Sequence, residues 1–304
     1  MTTFRTVASR LPHPNGDTMR KDTARRLLAE FLGTFLLIFA GTGAVVLDDL
    51  GLGSLVSIMF AHALVIMAMA YTHGSIINPA ATIGLFVAGA IDRIRVLPFI
   101  VVQLAGGVAG GLFVQFAFSG MVDLSGAPSA YGATVIADGV SVPAAFALEV
   151  LGTFLVVNAI LHCAVKGKAG NLAPIAIAFT VGALIVAFGP LTGASFNPAR
   201  TLGPAVATGN YADFWLYMAA TFGGAALAGI FNRFFMLSDN DGEDSADQAP
   251  LGGREGHRPR RSGHERESRA EQSLPSGPGS AQPKLECDCP DRTSNPPLLR
   301  WIRA

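Results

Sequence analysis

The chain repeats itself. Asn-Pro-Ala stands at Asn78-Pro79-Ala80 and again 119 positions later at Asn197-Pro198-Ala199, and Glu30-Phe31-Leu32-Gly33-Thr34-Phe35 returns at the same spacing as Glu149-Val150-Leu151-Gly152-Thr153-Phe154. Gly74 and Gly84 keep the step as well, at Gly193 and Gly203. One short motif arises by chance; several in one register mark a duplication. Whatever fold the chain takes must be built from two related halves, about 24–119 and 143–237.

Each half holds three apolar tracts, 27–47, 52–71 and 96–118, then 142–165, 172–191 and 214–231. A helix needs about 20 residues to cross a hydrocarbon core. Half of the 304 residues are apolar and only 14% are charged, more oil than a soluble domain hides. These numbers predict an all-α membrane protein with six transmembrane helices, and the bilayer as its first partner. The first tract is too long for a secretory signal and is the repeat partner of the fourth, so it reads as a retained span. Twenty-two basic residues balance twenty-two acidic ones, which gives nucleic acid nothing to be attracted by. Cys163 lies in an apolar tract, and Cys287 and Cys289 lie in a polar segment. That is neither a disulfide framework nor a zinc spacing. With no Ser/His catalytic pattern either, no metal, no cofactor and no enzyme activity is expected.

Residues 1–22 are polar and predict a disordered N-terminal extension, within which Met19 is a candidate for the true start. The membrane-spanning body runs over 23–237. Residues 238–304 are rich in Gly, Pro, Ser and charge without apolar periodicity, the composition of a disordered tail.

Basic residues near span ends mark the cytoplasmic side. Arg20, Lys21, Arg25 and Arg26 precede the first span, Arg93 and Arg95 the third, Lys166 and Lys168 follow the fourth, and Arg233 follows the sixth. The connections on the other side carry Asp48, Asp49, Asp123, Asp138 and Asp213, with Arg200 their one basic residue. Both termini are therefore placed inside, in a multi-pass protein of the cell (plasma or inner) membrane. Three spans per half is an odd number, so the second half is inverted relative to the first, the arrangement that puts functional sites near the bilayer midplane.

The Asn-Pro-Ala segments, 78–90 and 197–207, are too short to span. Asn is a favoured helix N-cap and Pro a favoured first residue, so each box opens a short helix. One sits in an inner connection and one in an outer, which predicts two re-entrant half-helices that enter from opposite faces and meet. Irregular backbone at that depth survives only where protein buries it or it lines a wet cavity. Half-helix N-termini carry partial positive charge, and the amides of Asn78 and Asn197 are hydrogen-bond donors at that depth. Arg200, in the first turn of the second half-helix, opposes the dipole there; its first-half counterpart is Ala81. Gly106 with Gly110 and Gly107 with Gly111 form two small-xxx-small pairs in the third span, which predict close helix packing.

Over about 24–236 these features resemble the aquaporins, the major intrinsic protein family: two Asn-Pro-Ala boxes, Arg directly after the second, and a Glu in the first and fourth spans. The resemblance implies a six-span pore per subunit, a homotetramer, and passive conduction of water, extending to small neutral solutes such as ammonia, urea and hydrogen peroxide, with ions and protons excluded. It assigns Glu30 and Glu149 as structural braces that accept hydrogen bonds from the half-helix loops. It also implies a selectivity filter of His62, Ile185, Ala194 and Arg200, a set similar to that of plant vacuolar-membrane aquaporins. Two other readings compete. A glycerol facilitator is disfavoured by Thr201 and Ala205, where that branch carries an Asp and a Lys or Arg. An ion-coupled secondary transporter also uses inverted repeats and broken helices, but the spans contain no acids besides the two Glu. The segment before Asn78 is shorter than the family's, and Ile76 replaces its usual His.

Overall fold

A computed structural model of the protein describes residues 16–121 and 130–236. The predicted tail, with Cys287 and Cys289, and Asp123 lie outside the described residues. Among the described residues eight α-helices follow in order: α1 (Gly16–Asp49), α2 (Leu55–His73), α3 (Pro79–Val87), α4 (Arg93–Phe118), α5 (Val142–Ala159), α6 (Ala173–Thr192), α7 (Pro198–Thr208) and α8 (Phe214–Phe231). Two of them run on into π-helical turns, α5 through Ile160–Val165 and α8 through Asn232–Met236. Six helices are long and apolar enough to cross a membrane. The remaining two, α3 and α7, are the half-helices.

Local chemistry sets the ends. Ser54 and Ser57 form a capping box at the start of α2, each side chain taking the other residue's backbone N–H. The spans that lead into the boxes both stop at a left-handed glycine, Gly74 (φ 65°) after α2 and Gly193 (φ 75°) after α6. Each glycine donates its N–H back into the helix, to Ala70 and Gly189 at 3.1 and 2.9 Å, and a side chain at either φ would be strained. The repeat thus encodes the same turn twice.

The halves embrace through their half-helices. α1 packs on α4 and α5 on α8, as the repeat demands, but α3 lies against α8 and α7 against α4, each half-helix held by the opposite half. Small residues make that exchange possible. A Cβ on Gly111 would overlap the backbone of Gly203, and one on Gly203 the carbonyl oxygen of Gly107; on the other side Gly229 stands as close to the Gly84 carbonyl. The four glycines of α4 divide their work, Gly106 and Gly110 facing the carbonyls of Phe31 and Phe35 on α1 while Gly107 and Gly111 face α7. Around α3 the buried apolar cluster is Ala80, Ala81 and Leu85 with Val157 and Leu161 of the α5 segment and Ala225 and Ala228 of α8. Outward, Leu64, Val101, Phe116, Phe179 and Trp215 are exposed, as suits helices whose outer surface meets lipid rather than water. The protein is a multi-pass membrane protein.

One boundary differs from expectation. α1 begins at Gly16, so the segment taken as extension up to residue 22 is helical over its last part. Apolar content locates where a helix enters hydrocarbon; it does not register a polar prolongation. Arg, Lys, Met and Ala, abundant between residues 19 and 26, are good helix formers and continue the rod beyond the apolar tract.

Candidate functional site

Both boxes act as helix caps. The Asn78 side-chain oxygen accepts the N–H groups of Ala80 and Ala81 at 2.9 and 3.2 Å, and that of Asn197 accepts Ala199 N–H at 3.0 Å. With Oδ1 so engaged, the amide nitrogen faces away from the helix. Asn78 Nδ2 donates to the Phe196 carbonyl and Asn197 Nδ2 to the Ile77 carbonyl, each at 2.9 Å. The half-helix tips are therefore tied by a reciprocal pair of hydrogen bonds across the repeat. One N–H of each carboxamide remains beyond that bond. Pro79, Pro198, Ala80 and Ala199 are buried behind the tips.

The two bridging residues are strained. Ile77 (φ 50°) and Phe196 (φ 51°) both take the left-handed conformation, which is costly for a side chain with a Cβ and most so for a β-branched one. A buried glutamate holds each in place. Glu30 accepts the N–H groups of Ile76 and Ile77, both at 2.7 Å, and Gln103 Nε2 at 2.8 Å. Glu149 accepts Ser195 and Phe196 N–H at 2.9 Å and the Thr192 hydroxyl at 2.7 Å. Three donors on each carboxyl group offset its burial.

A cavity of about 80 Å³ runs past both boxes, lined by Asn78, Asn197, Ile76 and Ile77 among others. A cavity needs at least roughly 10–15 Å³ of such volume to hold a water, so this one is large enough to hold water. A second, about 280 Å³, opens beyond it between Val45, Asp48, Ala137 and Pro190. His62, Ile185, Ala194 and Arg200 are the residues common to both cavities. The structure brings the four together at the junction, from α2, α6, the loop before Asn197 and the first turn of α7.

Arg200 is only 4% exposed. Its Nη1 donates to the Gly132 carbonyl at 2.6 Å, and its Nε meets no partner among the described residues. His62 Nδ1 lies 2.9 Å from the Ile58 carbonyl; a carbonyl only accepts, so Nδ1 carries the proton and Nε2 is left for another contact. A Cβ on Gly41 would run into that imidazole, so a bare α1 backbone makes the room the ring occupies. Thr201 is bonded to the hydroxyls of Ser195 and Thr134.

Sequence reasoning missed Gly132, Gln103 and Gly41. Gln103 carried a signal, a lone amide within an apolar tract. Gly132 carried none, because its contribution is a backbone carbonyl in a connection without pattern.

Six spans, two half-helices tied at their tips, and a lumen continuing past them define a membrane protein with an internal path. The Major intrinsic protein family model matches residues 17–232, and the chain belongs to that family. It is 38% identical over 229 residues to a Zea mays protein named Aquaporin TIP1-2, covering 71% of this chain and 87% of the relative. It is 35% identical over 233 residues to Aquaporin TIP2-3 of Arabidopsis thaliana, covering 71% and 88%. In fold it is similar to the X-ray structure of the aquaglyceroporin from Plasmodium falciparum, with a TM-score of 0.62 at 24% identity over 70% of this chain and 97% of that one.

Proposed function

We propose that the protein is a passive channel for water that also passes small neutral solutes such as ammonia, urea or hydrogen peroxide and holds back ions and protons. The observation that carries the reading is the junction of the two cavities at His62, Ile185, Ala194 and Arg200: whatever crosses from one to the other passes these four side chains. Arg200 contributes a fixed positive charge that repels cations. His62 and Arg200 supply the polar contacts that replace hydration, while Ile185 and Ala194 offer no hydrogen bond and Ala194 little bulk. The remaining amide N–H groups of Asn78 and Asn197, at the positive ends of α3 and α7, favour a neutral oxygen over a cation. Glu30 and Glu149 serve as braces, not as proton carriers, because their oxygens are committed to loop donors. The relatives' names, aquaporins, support water as the principal substrate.

The channel unit is taken as the helical body up to about residue 237, placed in the cell (plasma or inner) membrane with both termini cytoplasmic, on the strength of the Arg and Lys clusters at one side. By family likeness the assembly is a homotetramer with one path per subunit.

Stopped-flow osmotic shrinkage of proteoliposomes tests the reading. Water permeability should exceed that of protein-free vesicles with a low activation energy, and Ala194→Phe should suppress urea and ammonia flux before water flux. Flux that depends on a proton or sodium gradient would overturn the channel in favour of a coupled transporter.

A further inference from the structure

Arg26, just before the apolar part of α1, and Arg95, in the first turn of α4, line one small pocket of about 20 Å³ together with His73, the last residue of α2. Both arginines are half-buried and His73 is exposed. The acids nearby leave this corner positive. Glu30 lines the same pocket, but its two oxygens already accept Ile76 N–H, Ile77 N–H and Gln103 Nε2. Asp22 attracts Arg26, yet it forms its salt bridge with Arg25, at 3.4 Å. Asp92, at the start of α4, is exposed and makes no side-chain cap. The guanidinium of Arg95 has neither a hydrogen bond nor an ion pair among the described residues.

The tendency of Lys and Arg to gather at span ends on one side accounts for the presence of these residues. It does not account for two of them facing one pocket, where their charges repel, nor for a cation in the first turn of α4, where it opposes the helix dipole. An anion held against both guanidinium groups answers each point. Their planar forks match a phosphate group, and basic pockets between membrane helices take anionic lipid headgroups. The pocket itself has room for little more than a water-sized group, so the phosphate sits at its mouth. Leu28, two residues on from Arg26, and Leu97, two on from Arg95, are 56% and 69% exposed, on helices that pack together. They supply apolar surface for acyl chains beside the charged corner, which a free phosphate would not use.

We propose that Arg26 and Arg95, with His73 at the edge, form a binding site for the phosphate group of an anionic phospholipid in the leaflet beside the basic span ends.

The full-length protein in a non-ionic detergent is titrated with phosphatidylglycerol or with phosphatidylcholine of the same chains, and the thermal midpoint is read by intrinsic fluorescence. Phosphatidylglycerol should raise the midpoint by about 2–4 °C more than phosphatidylcholine, as a ligand specific to the folded state does. The Arg26→Gln/Arg95→Gln double variant should lose most of that difference. Lys166→Gln/Lys168→Gln, which removes equal charge away from the pocket, should keep it. Arg95→Gln alone breaks no hydrogen bond among the described residues and should lose about half, which decides the matter even where the double variant misfolds. Equal gains from the two lipids in the wild type, or a gain that survives the loss of Arg95 or of both arginines, overturns the proposal. A gain abolished equally by the two lysine substitutions assigns the effect to diffuse charge and overturns it. Inorganic phosphate that reproduces the full gain at the same concentration assigns the pocket to a soluble anion and overturns the lipid site.

Discussion

The strain at Ile77 and Phe196 and the glutamates that answer it are one device used twice. Two backbone N–H groups per loop point at a carboxyl group from the middle of a span, and the backbone bends into the left-handed region to let them. Glu149→Gln keeps the shape but puts an NH₂ group where two N–H donors and a hydroxyl converge. Bonds to a charged acceptor contribute about 1.5–3 kcal/mol each, so we expect a loss on the order of 2 kcal/mol. That corresponds to roughly 4–8 °C in the thermal midpoint for a chain of this size, read by intrinsic fluorescence on detergent-solubilised protein. An unchanged midpoint would remove Glu149 as the holder of its loop. Much of this site was legible beforehand because the duplication singled out Glu30, Glu149 and the boxes by register. What stayed hidden was the second layer. Gln103 reaches Glu30 from the neighbouring helix, and Gly132 reaches Arg200 through a main-chain oxygen; neither proximity is written in a spacing.

Among the elements, the half-helices depend on glycine as well as on apolar burial. α7 carries Arg200 and is seated on α4 where Gly107 and Gly111 let backbone meet backbone. Gly111→Ala places a methyl group against the Gly203 backbone, which has no flexible end to yield, so α7 must move off α4. Overpacking of this kind costs about 1–3 kcal/mol, and the shift carries Arg200 with it. We expect a lower thermal midpoint and reduced water permeability per subunit. Gly223→Ala, on α8 with nothing within 4 Å of the added carbon, should change neither; equal effects of the two would refute close approach as the reason for glycine. The six spans were readable from apolar length and the half-helix starts from Asn-Pro. The π-helical turns at the ends of α5 and α8 were not, since they alter hydrogen-bond register without altering composition. Nor was the start of α1 at Gly16, where propensity and not hydropathy extends the helix.

For the whole molecule, an odd number of spans per half made the inversion readable from counting alone. Which half covers which was not: the repeat declares the halves alike, and only packing shows that α3 rests on α8 and α7 on α4. That exchange brings the two positive helix ends to one place with reciprocal bonds between Asn78 and Phe196 and between Asn197 and Ile77, and sets Arg200 where the two cavities share their lining. The arrangement should let water through while refusing charge. The direct measurement is water and proton flux in the same proteoliposomes, loaded with a pH-sensitive dye and placed first in an osmotic and then in a pH gradient with valinomycin and potassium to clamp the potential. Water permeability should rise with protein content while proton flux stays at the protein-free level; proton flux that climbs in step with water flux would contradict the proposed pore.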